Sequence, residues 1–261
     1  MLNYEIRESS SEQIIFIHGN SQSAKCWEDV FLQQTLQNYT LIAMDLPGHG
    51  DSFRSTNADA DYSLKGLAKY ALDFIKQFES RPYIIVANSL GANIVGEMIL
   101  QLRNCKGAML TGSSALGFGL GASEIIMPNP NVGICFAEEF TGEQLNLLIE
   151  DCAVNLPEDK KEKIRVLFRK TDPSVRSSLA KCVANQDFSD EIKNMANSKL
   201  PLVWVYGEEE KVCFTNALDK LKIPKWKNKS LLIKNSGHFS QLDQPQKLAE
   251  LITEFAKESF A

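Results

Sequence analysis

Ser89, His238 and Glu210 are the residues whose types and settings could perform nucleophilic chemistry in this chain. Ser89 sits in Ile84-Ile85-Val86-Ala87-Asn88-Ser89-Leu90-Gly91-Ala92-Asn93. A β-branched apolar run stops at a small-x-Ser-x-Gly turn, and a helical pattern begins at once. Strand, sharp turn and helix are the context that exposes a serine oxygen at the carboxyl edge of a sheet. The turn tolerates only small residues two places either side, here Ala87 and Gly91. The helix N-terminus beyond it favours developing negative charge.

A serine needs a base, and the chain has only three histidines, His18, His49 and His238. Each follows an apolar strand-like run, and in open α/β sheets ligands bind beyond the carboxyl ends of strands. His238 lies late, in Asn235-Ser236-Gly237-His238-Phe239. Its ordinary pKa, about 6.5, suits proton shuttling near neutrality. His18, before Gly19-Asn20, and His49, between Gly48 and Gly50, fit loop-bracing roles better. The base needs an acid to hold its tautomer. The apolar run Leu202 to Tyr206 ends in Gly207-Glu208-Glu209-Glu210, and an acid three residues after such a glycine is Glu210. Glu209 is the next candidate, and Glu208 and Glu209 otherwise read as solvated charges. The other place for an acid, after Ala108-Met109-Leu110-Thr111, holds only Gly112-Ser113-Ser114. An oxyanion hole is expected from the N–H of Leu90 and from the loop after the first strand, at the N–H of Asn20.

The pieces His18-Gly19-Asn20, Asp45-Leu46-Pro47-Gly48-His49-Gly50, Ala87 to Gly91, Gly207 to Glu210 and Gly237-His238 occur in the order of an α/β-hydrolase. The chain resembles that superfamily over nearly its whole length. The resemblance implies a mostly parallel, doubly wound sheet with an inserted helical cap. It also implies Ser89 as nucleophile, His238 as base, Glu210 as acid, and Asn20 and Leu90 as oxyanion donors. Within the superfamily, the opening His18-Gly19-Asn20-Ser21-Gln22-Ser23, the strand end Thr111-Gly112 and the glutamate in the acid slot resemble N-acyl-homoserine lactonases of the α/β-hydrolase type. Short-chain esterases share most of these features. The expected activity is hydrolysis of a carboxylic ester or lactone with an apolar acyl group, needing no metal or cofactor. One alternative is carbon–carbon bond hydrolysis of ring-fission products, suggested by Asn88-Ser89, in which Arg176 or Arg165 would have to reach a carboxylate tail. The other is a non-catalytic ligand receptor on the same fold.

Strand-like runs at 14–17, 40–44, 83–87, 107–111, 201–206 and 230–234 must position these residues, with helices at 64–78 and 245–260 between and after them. Strands alternating with helices imply a parallel sheet with right-handed crossovers. Residues 1–111 and 199–261 are expected to form the core. Residues 112–198 lack strand alternation and are expected to form a helical cap, with helices at 141–153, 157–170 and 173–184. Gly117, Gly119 and Gly121 could hinge it, although glycines more often mark ordinary turns. Trp27, Phe118, Met127, Phe136, Phe140 and Leu148 are the candidate substrate contacts, with Phe53, Ile126 and Leu145 also in reach. The run from Lys160 to Lys170 reads as a solvated helix face.

The 261 residues are enough for a sizeable core. A formal charge of -5 argues against nucleic acid or an anionic membrane as partner. The six cysteines are scattered without zinc spacing, which fits free thiols in a cytoplasm. The chain is expected to act as a monomer or homodimer on a small molecule. The polar start lacks a signal-peptide pattern, and no run is long enough to span a membrane.

Overall fold

A computed structural model describes residues 2–117, 119–221, 223 and 225–261. Seven strands make one sheet: β1 (Tyr4–Arg7), β2 (Gln13–Ile17), β3 (Thr40–Met44), β4 (Tyr83–Asn88), β5 (Cys105–Thr111), β6 (Leu202–Gly207) and β7 (Leu231–Ile233). Their order is β1-β3-β2-β4-β5-β6-β7. Only β1 runs antiparallel to its neighbour β3; the other pairs are parallel. This is the α/β-hydrolase arrangement expected from the sequence.

Every residue of β2, β3 and β4 is buried, as befits a parallel sheet covered on both faces. Alternate side chains feed opposite cores. Ile15, Ile17 and Ile85 pack with Leu67 and Ile75 of the helix Leu64–Ile75 and with Val95 of the helix Leu90–Met98. Ile14, Phe16 and Ile84 pack with Trp27 and with Leu248 and Ile252 of the helix Pro245–Phe260.

The connectivity places the site before any side chain is considered. After β2 the chain moves outward to β3, and after β4 it moves the opposite way to β5. β2 and β4 are neighbours, so their following loops diverge and leave a crevice at their carboxyl ends. His18-Gly19-Asn20 follows β2, and Ser89 follows β4.

Between β5 and β6 the described residues add no strand to the sheet. The chain instead forms the helices Gly142–Cys152, Glu158–Lys170, Pro173–Ala184 and Glu191–Ser198. The first starts on a reciprocal capping box between Thr141 and Gln144. The third starts on Asp172 followed by Pro173 in the first turn. The basic run is only partly a solvated face: Lys160 and Lys163 reach back to Asp29 and Glu28 at 2.9 and 2.5 Å. No helix among the described residues is long and apolar enough to cross a membrane.

Candidate active site

Ser89 caps the helix Leu90–Met98 with φ 50 and ψ -116. That backbone lies outside the regions a non-glycine residue adopts freely and costs on the order of 1–3 kcal/mol. Two contacts hold it. The Ser89 N–H donates to Thr111 O at 2.9 Å, tying the turn to β5, and the Ser89 carbonyl accepts from Ala92 N at 2.7 Å. Gly91 must be small because a Cβ there would lie 2.7 Å from Ile17 O and 3.0 Å from His18 O. The helix can therefore start hard against the end of β2.

His238 and Glu210 come together from the loops after β7 and β6. His238 Nδ1 lies 2.9 and 3.0 Å from the two Glu210 carboxylate oxygens. Donation from Nδ1–H leaves Nε2 as the imidazole's proton acceptor. Glu210 Oε1 also accepts from Val212 N at 2.8 Å, which fixes the carboxylate. The Glu210 side chain is fully buried, whereas Glu208 and Glu209 are exposed, so Glu210 is the acid that meets the histidine.

Two glycines make room for this pair. A Cβ on Gly112, at φ +52, would lie 2.8 Å from both Nδ1 and Cε1 of His238. A Cβ on Gly207 would lie 2.1 Å from Ser236 O. The histidine loop is also pinned to the helical segment, since Phe239 N donates to Cys152 O at 3.0 Å.

The loop after β2 presents its amides to the same crevice. Its neighbours' N–H groups are engaged: Gly19 N donates to Gln22 Oε1 at 3.3 Å, and Ser21 N to His49 Nε2 at 3.2 Å. No hydrogen bond to the Asn20 N–H is found among the described residues. Leu90 opens its helix, so its N–H has no intrahelical partner. The Asn20 side chain is engaged on its own account: Nδ2 donates to Cys135 O at 2.7 Å, and Oδ1 accepts from Ser21 Oγ at 2.9 Å.

His18 and His49 brace loops as expected. Leu46 N donates to His18 Nε2 at 3.0 Å, and His18 Nδ1 meets Gly19 O at 2.8 Å. His49 Nδ1 meets Pro47 O at 3.0 Å. Burial pulls both imidazoles below their ordinary pKa, so both are neutral spacers.

Ser89, His238, Asn20 and Leu90 line one cavity of about 110 Å³ between the sheet's carboxyl edge and the helical segment. Its remaining wall is mostly aliphatic and aromatic. Of the six candidate substrate contacts, Phe136 and Leu148 line it, as does Ile126. Phe118 lies outside the described residues. Three expectations need correction. Trp27 is fully buried on the opposite face of the sheet, 5.1 Å from the Phe16 ring. Met127 is not on the wall. It follows Ile126 in an extended stretch bridged to Cys213, so the two side chains point opposite ways. Phe140 lies behind the wall, edge-on to Phe168 at 4.9 Å and 5.2 Å from the Arg176 guanidinium. Phe53 packs on Tyr70, and Leu145 is buried off the wall.

Neither arginine meets the cavity. Arg165 pairs with Glu158 and Glu162 at 2.6 and 3.0 Å. Arg176 is 1% exposed and donates to Ala137 O, Glu138 O, Phe168 O and Ser21 Oγ.

Several residues of the site were given no positioning role from sequence. Asn88 Nδ2 reaches Thr111 Oγ1 at 3.1 Å and His238 O at 3.3 Å, joining β4, β5 and the histidine loop. Gln22, Asn93 and Ser114 also line the cavity. The sole sequence signal for Asn93 was its place one helical turn after Ser89.

Comparison with known proteins agrees with this architecture. A family model described as the alpha/beta hydrolase family matches residues 14–251, and the chain belongs to that family. Human monoacylglycerol lipase ABHD6 is 21% identical over 95% of this chain and 76% of its own length. A crystal structure of the N-acyl homoserine lactonase AidH with N-hexanoyl homoserine lactone superposes with a TM-score of 0.90. It is 21% identical, covering 99% of this chain and 94% of its own. A structure from Burkholderia cenocepacia described as a putative aryl esterase gives a TM-score of 0.82 at 18% identity, covering 99% of this chain and 95% of its own. The chain is thus a hydrolase-family member with esterase and lactonase neighbours in fold.

Proposed function

We propose that the chain is a serine hydrolase that cleaves a small carboxylic ester or lactone through an acyl-enzyme on Ser89. The observation that carries this reading is a buried Glu210–His238 pair whose histidine shares one apolar cavity with a serine held at φ 50. On this reading Ser89 Oγ attacks the carbonyl carbon while His238 Nε2 takes its proton. The N–H groups of Asn20 and Leu90 hold the oxyanion, each worth roughly 10²–10³ in rate. The carbon–oxygen bond to the leaving alcohol breaks, and His238 returns the proton to it. Water repeats the sequence on the acyl-enzyme and frees the acid. Glu210 holds the Nδ1–H side of the ring and stabilises the imidazolium. The 112–198 segment acts as the cap that shields these steps from water.

The wall supports an acyl group that is largely apolar. Among the described lining residues there is no lysine or arginine, so a carboxylate tail of a ring-fission product has no partner. The test is turnover of a panel by wild type and Ser89→Ala. Nitrophenyl esters of increasing acyl length, monoacylglycerols and N-acyl-homoserine lactones make up the panel. Wild type is expected to hydrolyse one class, with kcat falling by about 10⁶ in Ser89→Ala. Retained activity in that variant would overturn the serine mechanism. Absence of turnover together with absence of fluorophosphonate labelling at Ser89 would favour a ligand receptor.

A further inference from the structure

The cavity wall has one polar feature outside the proposed triad and oxyanion loop: the side chains of Asn93 and Ser114. They form a closed unit. Ser114 Oγ donates to Asn93 Oδ1 at 2.7 Å, and Asn93 Nδ2 donates to Ser114 O at 3.0 Å. Glu191, fully buried behind them at the start of the helix Glu191–Ser198, sets the polarity of the unit. Its Oε2 accepts from Asn93 Nδ2 at 2.8 Å and from Leu116 N at 2.9 Å. With both its partners on Nδ2, the Asn93 amide cannot flip, so Oδ1 must face Ser114.

The donors of this unit that face the cavity are therefore all spent. Both Nδ2 protons, the Ser114 hydroxyl proton and the Leu116 N–H have acceptors. What remains at the wall is acceptor capacity, namely the Ser114 Oγ lone pairs and a second lone pair on Asn93 Oδ1. Ser114 is half-buried and Asn93 nearly closed off, so Ser114 Oγ is the oxygen a ligand meets. A buried carboxyl behind an apolar wall is costly, and burial pushes the Glu191 acid well above its ordinary range. Its Oε1 has no hydrogen-bond partner among the described residues. An apolar side chain would serve better if this wall only enclosed a hydrocarbon chain.

We propose that Ser114 Oγ, oriented by Asn93 and Glu191, is an accepting subsite that selects substrates carrying an N–H or O–H donor on the acyl group. The class implied is a hydroxyacyl or amidoacyl ester or lactone rather than a plain fatty one. Asn93 lies four residues after Ser89, so their Cβ atoms are roughly 5–6 Å apart and the subsite stands beside the reacting carbonyl. The inference rests on the serine-hydrolase reading and refines it.

The experiment compares matched nitrophenyl esters of equal chain length: unsubstituted, with a hydroxyl at successive carbons, and with a secondary amide or its N-methyl counterpart. The expected result is about a tenfold higher kcat/KM for one hydroxyl position and for the N–H amide over its N-methyl partner. Ser114→Ala is expected to bring that ratio to about one, and Ser114→Cys, a weaker acceptor of similar shape, to an intermediate value. Serine-dependent hydrolysis of the plain ester with no donor preference at any position would overturn the subsite and leave the hydrolase reading standing. So would a preference that survives Ser114→Ala. Should that variant fail to fold, the amide against N-methyl comparison on wild type still decides. Turnover that survives Ser89→Ala, or no turnover of any ester or lactone, would overturn both.

Discussion

Gly112→Ala tests whether the observed position of His238 is the working one. Gly112 follows β5 with φ +52, and its N–H donates to Val205 O at 2.9 Å, so the backbone is fixed on the strand side. A methyl group there would lie 2.8 Å from Nδ1 and from Cε1 of His238. Ordinary contact begins near 3.4 Å, so the imidazole must retreat by about 0.6 Å. Nδ1 is the atom bonded to Glu210 at 2.9 Å, and a shift of that size takes the bond to the edge of hydrogen-bond range. Misplacing a reacting group by 1 Å costs about 10²-fold, so kcat should fall by roughly 10- to 100-fold. Alanine in the left-handed region also costs about 1–2 kcal/mol. For a chain of this size that lowers Tm by about 2–8 °C. Steady-state kcat on a nitrophenyl ester, the rate of fluorophosphonate labelling and calorimetry read the three effects. A folded Gly112→Ala with wild-type kcat and labelling rate would refute the argument, because His238 would then act from elsewhere.

Glu210→Gln keeps the shape but loses the charge that holds the Nδ1 proton; kcat should fall by about 10⁴ with KM little changed, and pre-steady-state acylation checks it. Arg176→Met strands the Ala137 and Glu138 carbonyls and frees Ser21, costing about 1–3 kcal/mol for each group left unsatisfied. Thermal denaturation with kcat measured below the transition should show both a lower Tm and a lower kcat. Trp27→Ala should cost about 3–5 kcal/mol while leaving acyl-length preference as in wild type, since the side chain packs under the sheet. Denaturant melts and the ester panel separate the two effects. Asp243 accepts from Gly237 N and Val154 N, yet burial pushes its carboxyl from 3.8 up to about 6. A raised folded-state value means that the protonated form favours folding. This stabilisation is complete below about pH 4 and is lost as pH rises through about 6. Urea midpoints should decline across that window, and Asp243→Asn should flatten the decline.

What the sequence disclosed, and what it hid, follows from local against tertiary causes. β2 to β6 were legible because a strand buried on both faces must be an uninterrupted apolar, β-branched run, as in Ile84-Ile85-Val86. β1 was not: Tyr4–Arg7 alternates exposed and half-buried residues on a sheet edge, and only its pairing with β3 makes it a strand. The helix Glu191–Ser198 escaped because its eight residues carry too few turns to show a period. Ser89, Glu210 and His238 were legible because each depends on a glycine or small residue at a fixed offset, a constraint written locally. Trp27 was misread for the opposite reason. Seven residues after Asn20 the chain has already turned beneath the sheet, and proximity in sequence does not say which face a side chain takes. Met127 failed by one residue, where the alternation of an extended segment decides between wall and exterior.

A hinge at Gly117, Gly119 and Gly121 must be weighed against what joins the helical segment to the core. Asn20 Nδ2 bonds Cys135 O, Arg176 bonds Ser21 Oγ, and Phe239 N bonds Cys152 O. Each tie lands on or beside a loop that presents a proposed catalytic group. The Arg176 guanidinium is buried against the Phe140 and Phe168 rings, with no carboxylate oxygen within 4.0 Å among the described residues. Carbonyl oxygens and ring faces of the segment itself carry most of its charge, and Ser21 Oγ is its one hydrogen-bond partner on the core among the described residues. Swinging the whole segment away would break the three ties to the core together and release Asn20. The loop bearing the proposed oxyanion donor is thus shaped by the segment as much as by the sheet. Access to the cavity should therefore come from local displacement of wall residues such as Phe136, which sits between the tied points Cys135 and Ala137, rather than from rigid opening about the glycines.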